Sequence, residues 1–173
     1  MNRKQVKDVP VVRDFMTSPV ITVTADMEAH EAIGLLLKHR ISGAPVVEMD
    51  GMDKRLVGII SEKDFLAILT GGAFYDQEPS KVADFMKTEC LTVEPDTDLF
   101  TVADIFMKVH YRRLPVVEDG RLVGIVSRRD VLNSSKHLWG SPGDNPPDPG
   151  FIPESVKSRL GQQGLPTVEK VNR

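Results

Sequence analysis

A chain of 173 residues, 40% of them hydrophobic, can build one compact domain or two small units sharing a core. Its formal net charge of −3, made of mixed signs, provides no basic field for nucleic acid, and no apolar run of roughly eighteen residues offers a membrane span. Met1-Asn2-Arg3-Lys4-Gln5 is not followed by an apolar signal core, and the single cysteine, Cys90, cannot form an internal disulfide, so a reducing, cytoplasmic setting is expected.

Residues 1–11 form a polar lead-in. Val12-Arg13-Asp14-Phe15-Met16 then opens a unit that is repeated: Val82-Ala83-Asp84-Phe85-Met86 matches four of its five residues at an offset of 70. The offset persists through Thr22-Val23 and Thr92-Val93, Lys38 and Lys108, and Pro45-Val46-Val47-Glu48 and Pro115-Val116-Val117-Glu118. Copy one then has about four extra residues in a turn before Leu56 matches Leu122. Roughly two in five aligned positions are identical, and so long a period predicts two pseudo-symmetric units rather than a solenoid. The expected boundaries are 12–70 for repeat one, 71–80 for a linker, 81–135 for repeat two and 136–173 for a tail rich in proline and glycine.

Each copy reads strand, helix, strand, strand, helix, an α+β pattern. Short β-rich runs at 20–23 and 90–93 lead to Asp26 and Asp96, placed where helix N-caps belong. Ala29, Ala32, Ile33 and Leu36 recur at helical spacing, as do Leu99, Val102, Ala103 and Phe106. The runs 44–47 and 56–60, and 114–117 and 122–126, form hairpins, the second signalled by Asp119-Gly120. Hairpin geometry brings Arg112-Arg113 beside Ser127 to Asp130, and Ser42-Gly43 beside Ser61 to Asp64. A helix from Glu62 to about Leu69 stops at Gly71-Gly72. In the tail, Ile152, Val156 and Leu160 share one face of a short helix starting at Pro153, and Trp139 follows the second repeat.

The second hairpin strand of each copy runs into a shared motif, Gly58-Ile59-Ile60-Ser61-Glu62-Lys63-Asp64 and Gly124-Ile125-Val126-Ser127-Arg128-Arg129-Asp130. Ser-x-x-Asp at a helix start caps the first turn. The same unpaired amides, with a hydroxyl and a carboxylate beside them, can also hold a ligand bearing phosphate and diol groups. Arg128 and Arg129 sit in a first helical turn, where cations are disfavoured, and Arg112 and Arg113 converge on them, so an anionic ligand is expected at copy two. The alternative is a solvated, ion-paired rim. His30, His39, His110 and His137 lack metal-ligand spacing, Cys90 has no neighbouring base by motif, and no nucleophile, carboxylate pair or Walker-type loop indicates an enzyme.

On the repeat, the element order and the two Gly-h-h-Ser-x-x-Asp stretches (h, apolar), residues 10–135 resemble a tandem pair of cystathionine β-synthase-type domains, the CBS pair. The resemblance implies two β-α-β-β-α repeats packed with pseudo-two-fold symmetry, a homodimer, and an adenosine ligand such as AMP, ADP, ATP or another adenosyl compound bound between the repeats. It further implies that Asp64 and Asp130 hold ribose, that Ser61 and Ser127 meet phosphate, that Cys90-Leu91 line the Asp64 site and that Val20-Ile21 line the Asp130 site. Arg112-Arg113 stand where relatives such as the regulatory γ subunit of AMP-activated protein kinase carry a His-Arg pair that reaches phosphates. Copy one departs from this with Ser42-Gly43. The implied function is a nucleotide-sensing regulatory module that signals to a protein partner. The competing reading is a structural dimer with the same fold and no nucleotide.

Overall fold

The computed structural model describes residues 9–70 and 80–136. Gly71-Gly72, Trp139 and the proline-rich segment with its helix at Pro153 lie outside them. The chain is α+β. Its elements are α1 (Val12–Phe15), β1 (Val23–Thr24), α2 (Ala29–His39), β2 (Gly43–Asp50), β3 (Asp53–Ser61), α3 (Glu62–Thr70), a 3₁₀ turn (Val82–Asp84), α4 (Leu99–Lys108), β4 (Arg113–Glu118), β5 (Arg121–Ser127) and α5 (Arg128–Ser135).

Two compact units emerge. The first holds Pro19–Thr92 and the hairpin tip Val117–Leu122; the second holds the described residues up to Ser18, then Val93–Val116 and the described residues from Val123 onward. The opening segment of each sequence repeat therefore belongs with the body of the other copy. In the first unit, Val82 N–H donates to Met27 C=O and Ala83 N–H to Ala25 C=O, both at 2.9 Å. In the second, Val12 N–H donates to Thr97 C=O at 2.9 Å and Arg13 N–H to Pro95 C=O at 2.8 Å. The repeated aspartate of these segments is a local cap: Asp14 accepts from Val11 N–H at 3.0 Å and Asp84 from Lys81 N–H at 2.8 Å.

In the first unit β1 runs parallel to β2, and β2 pairs antiparallel with β3 from Gly43↔Ser61 to Asp50↔Asp53, with a bulge between Val46 and Val47. Arg55 of β3 pairs in turn with Arg121 at the start of β5. The extra residues of copy one lengthen this hairpin, and its tip at Met52 is fully in solvent. Asp119 and Gly120 close the β4–β5 hairpin with φ of 51° and 76°, the left-handed pair that a tight two-residue turn requires. The expected strands at 20–23 and 90–93 for the most part form no ladder. Only Val23–Thr24 forms a strand, and Val93 makes a single parallel bridge to Val116.

Helix α2 buries Ala29, Ala32 and Leu36 against Val23, Val46, Val57, Ile60, Phe65 and Val82. Helix α4 buries Leu99, Val102, Ile105 and Phe106, one stripe at helical spacing. Both helices start two residues later than expected. Glu28 precedes α2, and Asp98 caps α4 by accepting from Thr101 N–H at 3.0 Å. Asp26 instead accepts from Thr24 Oγ1, and Asp96 pairs with Arg13 at 3.1 Å. The physical reason is tertiary: the first free amides, Ala29 N–H and Leu99 N–H, are met by Ser80 C=O at 2.8 Å and Pro10 C=O at 2.9 Å, fixing where each helix begins.

Candidate functional site

The two glycine-led motifs are positioned by equivalent backbone pairings. In the first unit Ile59 exchanges both hydrogen bonds with Lys87, each at 2.9 Å; in the second Ile125 exchanges both with Thr17, at 2.8 and 3.1 Å. Thr17 and Lys87 are the same position of the repeat, directly after Met16 and Met86. So close an approach needs a residue without a side chain: a Cβ on Gly58 would stand 2.7 Å from Lys87 C=O, and one on Gly124 would overlap the Met16 sulfur.

In the first unit, β3 ends at Ser61 and α3 begins. Asp64 Oδ2 accepts from Ser61 N–H at 2.9 Å and from Ser61 Oγ at 2.5 Å, while Lys87 Nζ lies 2.9 Å from Asp64 Oδ1. The carboxylate is 11% exposed. Burial pushes its pKa up, but the hydrogen bonds from Ser61 and Lys87 and the ammonium charge outweigh burial and hold it below the usual carboxylate range. Ser42 C=O accepts from Glu62 N–H at 3.1 Å, so the two ends of the hairpin meet. Cys90 packs with Val47, Leu56 and Leu122, flanked by Val20, Ile59 and Val117, and burial raises its thiol pKa. Leu91 is buried too. Val20 and Ile21 belong to this unit, half-buried.

In the second unit Ser127 caps α5. Asp130 Oδ2 accepts from Ser127 N–H at 2.8 Å and Oγ at 2.6 Å, and Ser127 Oγ accepts from Asp130 N–H at 3.3 Å. Oδ1 of Asp130 has no ion-pair partner among the described residues. Arg112 C=O accepts from Arg128 N–H at 3.4 Å, the counterpart of the Ser42 contact. Arg112 and Arg129 are exposed and Arg113 is half-buried at the start of β4. Arg128 is used differently. Its guanidinium donates to Val109 C=O at 3.0 Å and Phe106 C=O at 3.4 Å and lies 5.9 Å from the centre of the Phe106 ring. A cation at the carbonyl end of α4 meets the negative end of that helix, which outcompetes its own first-turn position on α5.

Sequence reasoning missed Lys87 and Thr17, whose signal was their register directly after the repeated methionine. Among the described residues no group of three or more His, Cys, Asp or Glu could hold a metal, and no helix is long and apolar enough to cross a membrane.

The structure of CBSX2 in complex with AMP is 31% identical to this chain with a TM-score of 0.65, covering 74% of this chain and 97% of that one; CBSX2 is a CBS-pair protein from Arabidopsis thaliana. The CBS domain pair of protein MJ0100, solved with 5′-methylthioadenosine and S-adenosyl-L-methionine, is 29% identical with a TM-score of 0.62, covering 75% and 98%. Among curated proteins, the A-adding tRNA nucleotidyltransferase of Aquifex aeolicus is 34% identical over 136 residues, 79% of this chain, which spans only 15% of that enzyme's length. The CBS domain family model matches residues 12–71 and 82–137. This chain belongs to the CBS-domain family, carrying two copies of the domain.

Proposed function

We propose that the chain is a regulatory module that binds an adenosine ligand, AMP, ADP, ATP or another adenosyl compound, and whose occupancy is read by a partner protein. Binding rather than turnover is the reading, with a homodimer as the assembled form, the cytoplasm as the compartment, and no metal or nucleic acid involved. The observation that carries it is Asp130. Its Oδ2 is anchored by Ser127 and its Oδ1, without a partner among the described residues, is left for a diol, at the start of a helix that itself carries Arg129 and whose flanking chain supplies Arg112 and Arg113 for phosphate. Arg128, turned to α4, is left out of that role. Ser61 and Asp64, with Cys90 and Leu91 in the same unit, are the counterpart positions in copy one, and Val20 and Ile21 complete the residues assigned to adenine. The AMP bound to CBSX2 and the adenosyl compounds bound to MJ0100 support the ligand class.

The test is isothermal titration of ligand-stripped protein with AMP, ADP, ATP, NAD and S-adenosylmethionine in turn. Saturable heat from one of them supports the reading, and the preferred phosphate length tests the arginines. Silence from all five with folded protein overturns it in favour of a structural dimer, the reading favoured by the complete Ser127–Asp130 capping box and by the Ser61 bonds to Asp64.

A further inference from the structure

We infer that the two Ser-x-x-Asp sites are unequal by construction: Lys87 occupies the carboxylate of the first as a built-in counter-ion, so the chain takes one adenosine ligand, at Asp130. The inference rests on the reading above that these carboxylates hold ribose. A carboxylate offers about four lone-pair positions, and a diol needs two of them. On both aspartates Oδ2 is filled twice, by the serine amide and hydroxyl. On Asp130 both positions of Oδ1 remain among the described residues. On Asp64, Lys87 Nζ at 2.9 Å takes one and sets an ammonium in front of the other.

The difference is not one of placement. Lys87 and Thr17 make the same two backbone hydrogen bonds to Ile59 and Ile125, so their side chains leave the same point of each unit. A lysine there reaches the carboxylate. A threonine is too short and carries no charge. A neutral diol entering the first site must displace the ammonium from a carboxylate only 11% exposed, leaving that charge without its counter-ion. The phosphate side points the same way: the first copy has Ser42-Gly43 where the second has Arg112-Arg113.

Titration with AMP, ATP and S-adenosylmethionine decides it by stoichiometry. The wild-type chain is expected to bind one equivalent of its preferred compound, Lys87→Thr to bind two, and Thr17→Lys to lose the site or weaken it by about tenfold or more. Both positions are exposed, so neither substitution disturbs the core, and unliganded melting curves check this. Two equivalents in the wild type, one in Lys87→Thr, or unchanged affinity in Thr17→Lys overturns the inference while leaving the nucleotide reading intact. Weaker binding in Lys87→Thr also overturns it, by making Lys87 a ligand contact. No saturable heat from any of the three compounds with any variant overturns the nucleotide reading and this inference together.

Discussion

Gly124 lies against Met16 so closely that a Cβ on the glycine would overlap the sulfur, and Gly58 stands in the same relation to the Met86–Lys87 segment. The glycine that leads each motif is therefore not a phosphate-loop glycine. It is the point where the strand admits the segment following the repeated Asp-Phe-Met.

The two glycines differ in what blocks a methyl group. At Gly58 the obstacle is the Lys87 carbonyl at 2.7 Å, backbone held by two hydrogen bonds; at Gly124 it is a methionine side chain with rotatable bonds. Gly58→Ala is expected to cost about 2–3 kcal/mol and Gly124→Ala about 1 kcal/mol. Chemical denaturation measures both. Met16→Ala combined with Gly124→Ala should recover part of the loss relative to the sum of the single changes, whereas additivity would show that the overlap is not the cause.

Stability and binding should rank the two aspartates in opposite orders. Asp64→Ala removes a helix cap and the Lys87 ion pair, which is half in solvent and worth about 0.5–1 kcal/mol, so it should cost about 1.5–2.5 kcal/mol. Asp130→Ala removes a cap alone, about 1 kcal/mol, yet should weaken adenosine-ligand affinity by more than about tenfold while Asp64→Ala leaves it near wild type. Paired melting and titration data on both variants check this. The same ranking in both measurements would refute the division of labour.

The acid side of the stability curve follows from Asp64. Its pKa in the fold is lowered, so it binds fewer protons folded than unfolded. Its contribution is then fully present above the unfolded carboxylate value and lost as pH falls through the lower, folded value. The Tm advantage of wild type over Asp64→Asn should be full at pH 7 and should shrink steadily on acidification below the ordinary carboxylate range. An advantage that grows towards acid pH would contradict the assigned direction.

What was legible beforehand was local. Alternation and 3.6-residue periodicity identified the two hairpins and α2 and α4, because Ala29, Ala32, Leu36, Leu99, Val102 and Phe106 each face a core. The Ser-x-x-Asp caps announced α3 and α5. The rest depends on long-range backbone pairing, which has no side-chain signature. An offset of 70 equates Val12 with Val82, but nothing in either segment says that Thr17 pairs with Ile125 and Lys87 with Ile59. The helix starts shifted for a related reason. Asp26 and Asp96 are good caps by residue type, and carbonyls of Ser80 and Pro10, distant in sequence, decide otherwise. The ammonium on Asp64 was hidden in the same way, since Lys87 reads as an ordinary surface lysine until its strand partner is known.

The three exposed arginines around α5 should separate by salt dependence. Arg128 is spent on Phe106 and Val109 carbonyls and on the Phe106 ring, so Arg128→Ala should lower stability by about 1–2 kcal/mol and leave ligand affinity nearly unchanged. Arg112 and Arg129 make no ion pair among the described residues, so Arg112→Ala and Arg129→Ala should leave the Tm within about 2 °C of wild type. Each should instead weaken binding of a phosphorylated adenosine compound by about three- to tenfold at low ionic strength, an effect that fades as salt is added. Adenosine itself supplies the control. Its affinity should respond to neither substitution nor to salt, because in the proposed site Asp130 would hold ribose through hydrogen bonds and only phosphate would require the cations. Equal losses for adenosine and for AMP in Arg112→Ala would move that arginine from phosphate recognition to support of the β4 strand it precedes.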